Sequence, residues 1–413
     1  MTSTNANPFA EMLAANTVFA NREVLSPHYV PEKLPHRDSE IAEIIKAVSP
    51  VVQGGRPKNL FIYGKTGTGK SCSVKYVVRK LEEIESAAKA KTSHINCRVY
   101  NSRYRVVQKI VKDFMPDYAI PGYGITQYYE HVLDWLEAGG YHLMVVLDEI
   151  DMVKDLDDLM YTLTRANDDL NGNGGTVSII GITNRVSFKD MLDPRSKSSL
   201  CENEIVFRPY NAEQLQAILK QRIALGFKPD MVDDGAINLA AAIAARENGD
   251  ARYALKILLR AGEIANDVKE GKVAEKHVEK ARSSVDEDVT FEVISTLPEQ
   301  QQLVLYSISI LSMEDNKYAK LTGEQENFLF SGDVYEHYSA IAKRLRRKPR
   351  TARWYREYLN DLEMLGLITT VQSGKGIRGH TTLIKIGYPA GRIKEIIEKH
   401  ILGDAAEQPE KAG

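Results

Sequence analysis

The run Gly64-Lys65-Thr66-Gly67-Thr68-Gly69-Lys70-Ser71 constrains this chain more than any other stretch. It follows an apolar segment, Asn59-Leu60-Phe61-Ile62-Tyr63, and leads into a helix-compatible segment that begins at Cys72. Strand, glycine-rich loop and helix in that order are the setting in which a G-x-x-x-x-G-K-[ST] loop cradles phosphates. The glycines let the backbone turn its N–H groups inward, and the helix N-terminus adds partial positive charge. Lys70 is expected to reach the β- and γ-phosphates, and Ser71 to hold Mg²⁺ through its hydroxyl.

Such a loop needs a sheet around it, and the sequence supplies one. Apolar runs at 60–63, 94–99, 142–147, 177–182 and 204–207 alternate with helical segments, which predicts a parallel five-stranded α/β sheet between helices. The third run, Leu143-Met144-Val145-Val146-Leu147-Asp148-Glu149, ends in acids. Asp148 is placed to hold Mg²⁺ and Glu149 to orient and deprotonate a water, while Asp151 reads as a surface or helix-capping acid. The fourth run ends at Asn184, and neighbouring strand ends in such a sheet gather over one crevice. Asn184 is therefore expected to face the γ-phosphate; a capping asparagine is the plainer alternative. Asp193-Pro194-Arg195 starts a short helix, and Gly249-Asp250-Ala251-Arg252 starts another with Asp250 as its N-cap.

The 413 residues are enough for two or three domains. Prolines at 27, 31 and 35 argue against regular structure in the approach to the first helix, expected over 39–52. Beyond Pro209 the strand signal stops, and Ala-, Leu- and Ile-rich helices run to residue 281 as a separate helical domain. After the polar stretch 283–290 come helices over 299–313, 333–347 and 351–365, then strand-like runs at 367–371 and 381–386 around a Gly-rich loop. That order describes a winged helix-turn-helix. The domains expected are 1–210, 211–285 and 286–402, with a disordered tail over 403–413. Cys72, Cys97 and Cys201 form no metal pattern and suit a reducing compartment. With a polar start and no membrane-length apolar run, the chain is expected to be cytoplasmic and nucleoid-associated, with no membrane partner.

Taken in order, Gly64–Ser71, Leu147-Asp148-Glu149, Gly181-Ile182-Thr183-Asn184, Leu192-Asp193-Pro194-Arg195 and Gly249-Asp250-Ala251-Arg252 resemble an AAA+ ATPase. More narrowly, the approach segment Tyr29-Val30-Pro31-Glu32-Lys33-Leu34-Pro35-His36-Arg37 and the C-terminal module are similar to archaeal replication initiators of the origin recognition complex / cell division control protein six type. The resemblance covers essentially residues 20–390. It implies ATP or ADP with Mg²⁺ as ligands, held by Gly64 to Ser71, Cys72 and Asp148, with Tyr29, Val30 and Arg37 lining the adenine. It also implies that Asn184 reads the γ-phosphate, Arg252 reports nucleotide state to the helical lid, and Arg195 acts on ATP in a neighbouring copy. An insertion near Gly122 and Tyr123 is implied to press on DNA. Ser196 departs from the aliphatic residue common after Arg195 in relatives and touches no catalytic assignment.

The net charge of −2 gives no global sign of a nucleic-acid partner, so local charge must carry that reading. From Ile341 to Arg356 stand Lys343, Arg344, Arg346, Arg347, Lys348, Arg350, Arg353 and Arg356, with no acid among them. Tyr355, Leu359, Leu362 and Leu365 form a core stripe, from which Thr351, Arg353, Arg356 and Asn360 project away. Basic and amide side chains on that face can reach phosphates and base edges of a double helix, and Lys375 and Arg378 on the wing can clamp the backbone. Trp354 is expected to be partly buried. The reading is an ATP-regulated replication initiator with slow, switch-like hydrolysis; the resemblance adds double-stranded origin DNA, recruitment of the replicative helicase, and assembly with neighbouring copies or paralogues. The alternatives are a P-loop signalling ATPase whose winged helix binds protein, and a transcription regulator that binds promoter DNA.

Overall fold

The computed structural model describes residues 17–87, 89–170, 175–185, 188, 192–201, 203–313, 328–372 and 382–406. Leu60–Tyr63 (β1) is buried along its whole length, as expected of a strand covered on both faces by helices. It lies within a parallel sheet of order β2-β3-β4-β1-β5, with β2 at Ala90–Asn96, β3 at His142–Asp148, β4 at Thr176–Thr183 and β5 at Glu204–Val206. Alternate side chains feed two cores. Phe61, Val145, Leu147 and Ile179 pack on one face, and Leu60, Ile62, Met144, Val146 and Ile180 on the other.

The second strand corrects the expectation of 94–99. Pairing runs from Ala90 opposite His142 to Asn96 opposite Asp148, after which the chain leaves the sheet and Val99 is exposed. The apolar signal that suggested the later register, Ile95 and Cys97, is buried, but Cys97 lies just past the last paired residue. Helices α1 (Asp38–Val48), α2 (Lys70–Glu82), α3 (Arg103–Phe114), α4 (Ile125–Gly139), α5 (Leu156–Asp169) and α6 (Pro194–Leu200) accompany the sheet. Four more follow: α7 (Ala212–Gly226), α8 (Asp234–Glu247), α9 (Ala251–Asp267) and α10 (Glu275–Thr296).

Two compact units divide between Arg282 and Ser283, with the sheet and the helices α7, α8 and α9 in the first. The division falls inside α10, which continues through the polar residues 283–290 that read as a connector. No Gly or Pro interrupts that stretch, and its polar side chains are compatible with a helix.

The second unit contains α11 (Glu299–Met313), α12 (Ser331–Arg344) and α13 (Ala352–Met364), then β7 (Ile368–Gln372) and β8 (Thr382–Ile386) as an antiparallel pair. Two elements were not anticipated: a short strand β6 (Leu329–Phe330) on the free edge of β8, and a final helix α14 (Ala390–Ala406). The helix continues past residue 403, where a disordered tail was expected to begin; residues 407–413 lie outside the described residues. Tyr355, Leu359 and Leu362 enter the core, whereas Leu365 is 47% exposed because α13 ends one residue earlier. Trp354 is 52% exposed, against the expectation of partial burial: it lies off the stripe, with its ring centroid 6.4 Å from that of Tyr358.

Candidate nucleotide site and nucleic-acid interface

Strand register assembles the site. Tyr63 pairs with Thr183 and Ile182 with Asp148, so Gly64, Asn184 and Glu149, each just beyond a strand end, emerge along one edge of the sheet. Gly64, Gly67 and Gly69 have φ of 154°, 69° and 92°, values that only glycine adopts without strain. A Cβ on Gly67 would come within 1.6 Å of the Asp250 carboxylate, so the loop has no room for a side chain there. Lys70 opens α2 and turns back. Its Nζ donates to the carbonyls of Gly64 (2.8 Å) and Lys65 (2.7 Å) and to Asn184 Oδ1 (2.8 Å). Burial, with Arg252 nearby, lowers its pKa to about 8 despite the opposing pull of Asp148 and Asp250.

Burial by itself would raise the Asp148 pKa. Hydrogen bonds from His94 and Ser71 outweigh it, so the net shift is downward and the carboxylate stays ionised. His94 Nε2 stands 3.5 Å from Asp148 Oδ2. Glu149 has a left-handed backbone (φ 56°) and an ion pair with Arg98 at 2.7 Å.

Asp151 is not a surface acid. Its side chain is 5% exposed, accepts from the Thr183 hydroxyl at 2.7 Å and lies 3.4 Å from Arg185, so it braces the segment that carries Asn184. Nothing in the sequence near Asp151 indicates those partners. His94 and Arg98 were likewise missed, because neither belongs to a recognisable motif.

The loop borders a cavity of about 260 Å³. Of the expected residues, Tyr29, Val30, Gly67, Gly69, Lys70, Ser71, Cys72, Asp148, Glu149, Asn184 and Arg252 line it. Arg37 does not. It is 3% exposed and committed elsewhere: Nε donates to Thr68 O (2.9 Å) and Tyr210 Oη (3.0 Å), and Nη2 to Arg208 O (2.6 Å). Arg37 therefore supports the glycine-rich loop from behind, outside the cavity lining. Asp250 caps α9, accepting from the backbone N–H groups of Arg252 (2.7 Å) and Tyr253 (3.1 Å), and the Ala251 N–H donates to Gly67 O at 3.1 Å. Arg195 sits exposed at the start of α6, outside the cavity lining, with Asp193 as N-cap. Ser196 reinforces that cap, its Oγ donating to Asp193 Oδ2 at 3.0 Å.

In the second unit, Arg350, Thr351, Arg353, Arg356 and Asn360 are exposed at and along α13, as the core stripe predicts. Arg347 forms a 2.7 Å ion pair with Glu299. Lys375 and Arg378 lie outside the described residues. The loop before α4 holds Gly122 exposed (φ 94°) and Tyr123 half-buried, its ring centroid 5.9 Å from those of both Tyr128 and His131.

Three family descriptions match in chain order: an AAA domain over residues 53–192, a Cdc6 AAA+ ATPase-type lid domain over 216–283, and a CDC6 C-terminal winged helix domain over 292–396. The chain is 39% identical over 396 residues to an ORC1-type DNA replication protein 1 of Archaeoglobus fulgidus, covering 95% of this chain and 94% of that one. Among solved structures it is similar to the Aeropyrum pernix ORC1 protein in complex with DNA, with TM-score 0.80, 34% identity, and coverage of 94% and 98%. The Aeropyrum pernix ORC2 protein, solved as ADPNP–ADP complexes, shares the fold at TM-score 0.58 and 22% identity, with coverage of 94% and 100%. A cradle for phosphates beneath a helical lid, a basic winged helix and relatedness along almost the whole chain agree: the chain belongs to the archaeal ORC1/Cdc6-type DNA replication proteins.

Proposed function

We propose that this protein binds and slowly hydrolyses ATP as a switch that governs its grip on double-stranded origin DNA, and that the assembled protein recruits the replicative helicase. The observation that carries the nucleotide half is Lys70, a buried ammonium that lines the cavity at the start of α2 and is held there by the glycine-rich loop and Asn184. In this reading Lys70 and the loop N–H groups hold the β- and γ-phosphates, and Ser71 and Asp148 hold Mg²⁺. When bound, Mg²⁺ neutralises charge that develops on the transferred phosphoryl group. Glu149 orients a water and accepts its proton, Asn184 fixes the γ-phosphate, and Arg252 carries the lid. Arg195 serves a neighbouring copy, consistent with its position away from this cavity.

For the DNA half, α13 enters the major groove with Arg353 and Arg356, while Arg350, Thr351, Lys375 and Arg378 engage the backbone. The loop at Gly122 and Tyr123, with the exposed Tyr118 and Ile120 beside it, supplies a second contact from the ATPase core.

Two measurements test the halves separately. Glu149→Gln should abolish turnover in a phosphate-release assay while ATP binding persists; unchanged turnover rejects the assignment. Arg353→Ala or Arg356→Ala should weaken binding to origin DNA by about 1–3 kcal/mol if base edges are read. No shift in a gel titration at physiological salt rejects the placement of α13.

A further inference from the structure

The approach segment over the cavity is held chiefly by the lid. Ala20 and Asn21 N–H groups donate to Gly226 O (2.9 and 3.1 Å), the Lys228 N–H donates to Val18 O (2.9 Å), and the Phe19 and Phe227 rings lie 4.8 Å apart. Farther along, α7 reaches the part that borders the cavity. Arg222 donates to Val24 O (3.2 Å) and Tyr29 O (3.3 Å), and Gln221 donates to Lys33 O (2.9 Å). The sheet side holds the same segment through Arg79, which donates to Val30 O (3.4 Å) and Pro31 O (3.1 Å). The chain then passes His36, in a left-handed conformation (φ 60°), to Arg37, which is anchored beneath the glycine-rich loop.

Arg222 is the unusual member of this set. It is 6% exposed, yet it pairs with no carboxylate among the described residues, and its Nε has no hydrogen-bond partner. Its guanidinium lies over the Tyr29 ring, 4.7 Å from the centroid, and both residues line the cavity. A buried cation without a counter-ion is costly unless its position serves another contact. A carbonyl clamp and a stacked ring fix Tyr29 to α7, and α7 belongs to the same helical set as α9, which carries Arg252.

We propose that Arg222 is a positioning residue through which the base end of the nucleotide sets the lid. The lid then receives two separate signals: Arg252 reports the phosphates, and Arg222 with Tyr29 reports the base. The proposal rests on the ATP-binding reading above and adds a division within it. Loss of Arg222 should affect ATP and ADP equally, since they share a base, and should erode preference for adenine over guanine. Loss of Arg252 should change the ratio of ATP to ADP affinity and leave base preference alone.

The test is calorimetric titration of the full chain with ATP, ADP and GTP in the presence of Mg²⁺. Arg222→Gln is expected to weaken ATP and ADP by about tenfold each, with their ratio kept and the ATP-over-GTP preference reduced by a similar factor. Arg252→Ala is expected to alter the ATP/ADP ratio only. If Arg222→Gln does not fold, Tyr29→Leu removes the stacked ring, leaves the guanidinium and its carbonyl clamp in place, and should show the same loss of base preference. An ATP-over-GTP preference equal to wild type in either folded variant overturns the proposal. A wild-type chain that binds neither ATP nor ADP overturns the ATP-binding reading itself.

Discussion

Lys70 shows how much of this site is settled by one ammonium. Burial first, then the positive charge of Arg252, lower its pKa from 10.5 to about 8, and a bound phosphate would restore it. Below about pH 8 the side chain is already protonated, so ATP binding takes up no proton there. Above it, binding must add a proton, and affinity should fall by up to about tenfold per pH unit toward pH 10. Titrations at pH 8.5–9.5 in buffers of different ionisation enthalpy should reveal that uptake; identical heats in all buffers would count against it. Stability responds with the opposite sign. The depressed pKa means the unfolded chain binds more protons between about pH 8 and 10.5, so the nucleotide-free fold gains stability as pH rises through that window. That Lys70, Ser71, Asp148, Glu149 and Asn184 line one cavity was legible from the sequence, because the first two follow a glycine-rich loop and the other three stand at or just beyond the end of an apolar strand. Asp151, Arg37 and Arg222 were not, since their partners Thr183, Tyr210 and Tyr29 lie far away in the chain and no local spacing encodes them.

Elements were legible to the extent that their pattern was periodic. The strands β1, β3 and β4 are continuous apolar runs and lie where expected. The edge strand β2, AKTSHIN, buries only Ser93 and Ile95 and offers little to read. Likewise α10 lost its signal across residues 283–290, where polarity suggested a connector and the backbone stayed helical. The capping acid of α9, by contrast, was visible as Asp250 before Ala251-Arg252, and the structure gives it a second task, packing against Gly67. Asp250→Ala should therefore cost about 1 kcal/mol from the lost cap. That corresponds to a fall of about 2–4 °C in the thermal midpoint of the nucleotide-free protein. An unchanged midpoint would mean that the cap contributes nothing to the fold.

For the whole molecule, two units carry two chemistries, an anion cradle before Arg282 and a basic helix after Ser283. Their separation gives the simplest global test. Lys70→Ala should abolish ATP binding in calorimetry and leave much of the affinity for duplex DNA in a gel shift; equal loss of both in a folded variant would overturn the division. No described helix is long and apolar enough to cross a membrane. Under the role proposed for Glu149, stability and turnover are opposed at one point in this architecture. Glu149 is an L-residue in the left-handed basin (φ 56°), a pose that costs about 1 kcal/mol or more for any side chain but glycine or asparagine. Drift toward a sturdier protein would favour those two residues at this codon, and under the role proposed for Glu149 either would leave a firmer scaffold that no longer breaks the phosphoanhydride.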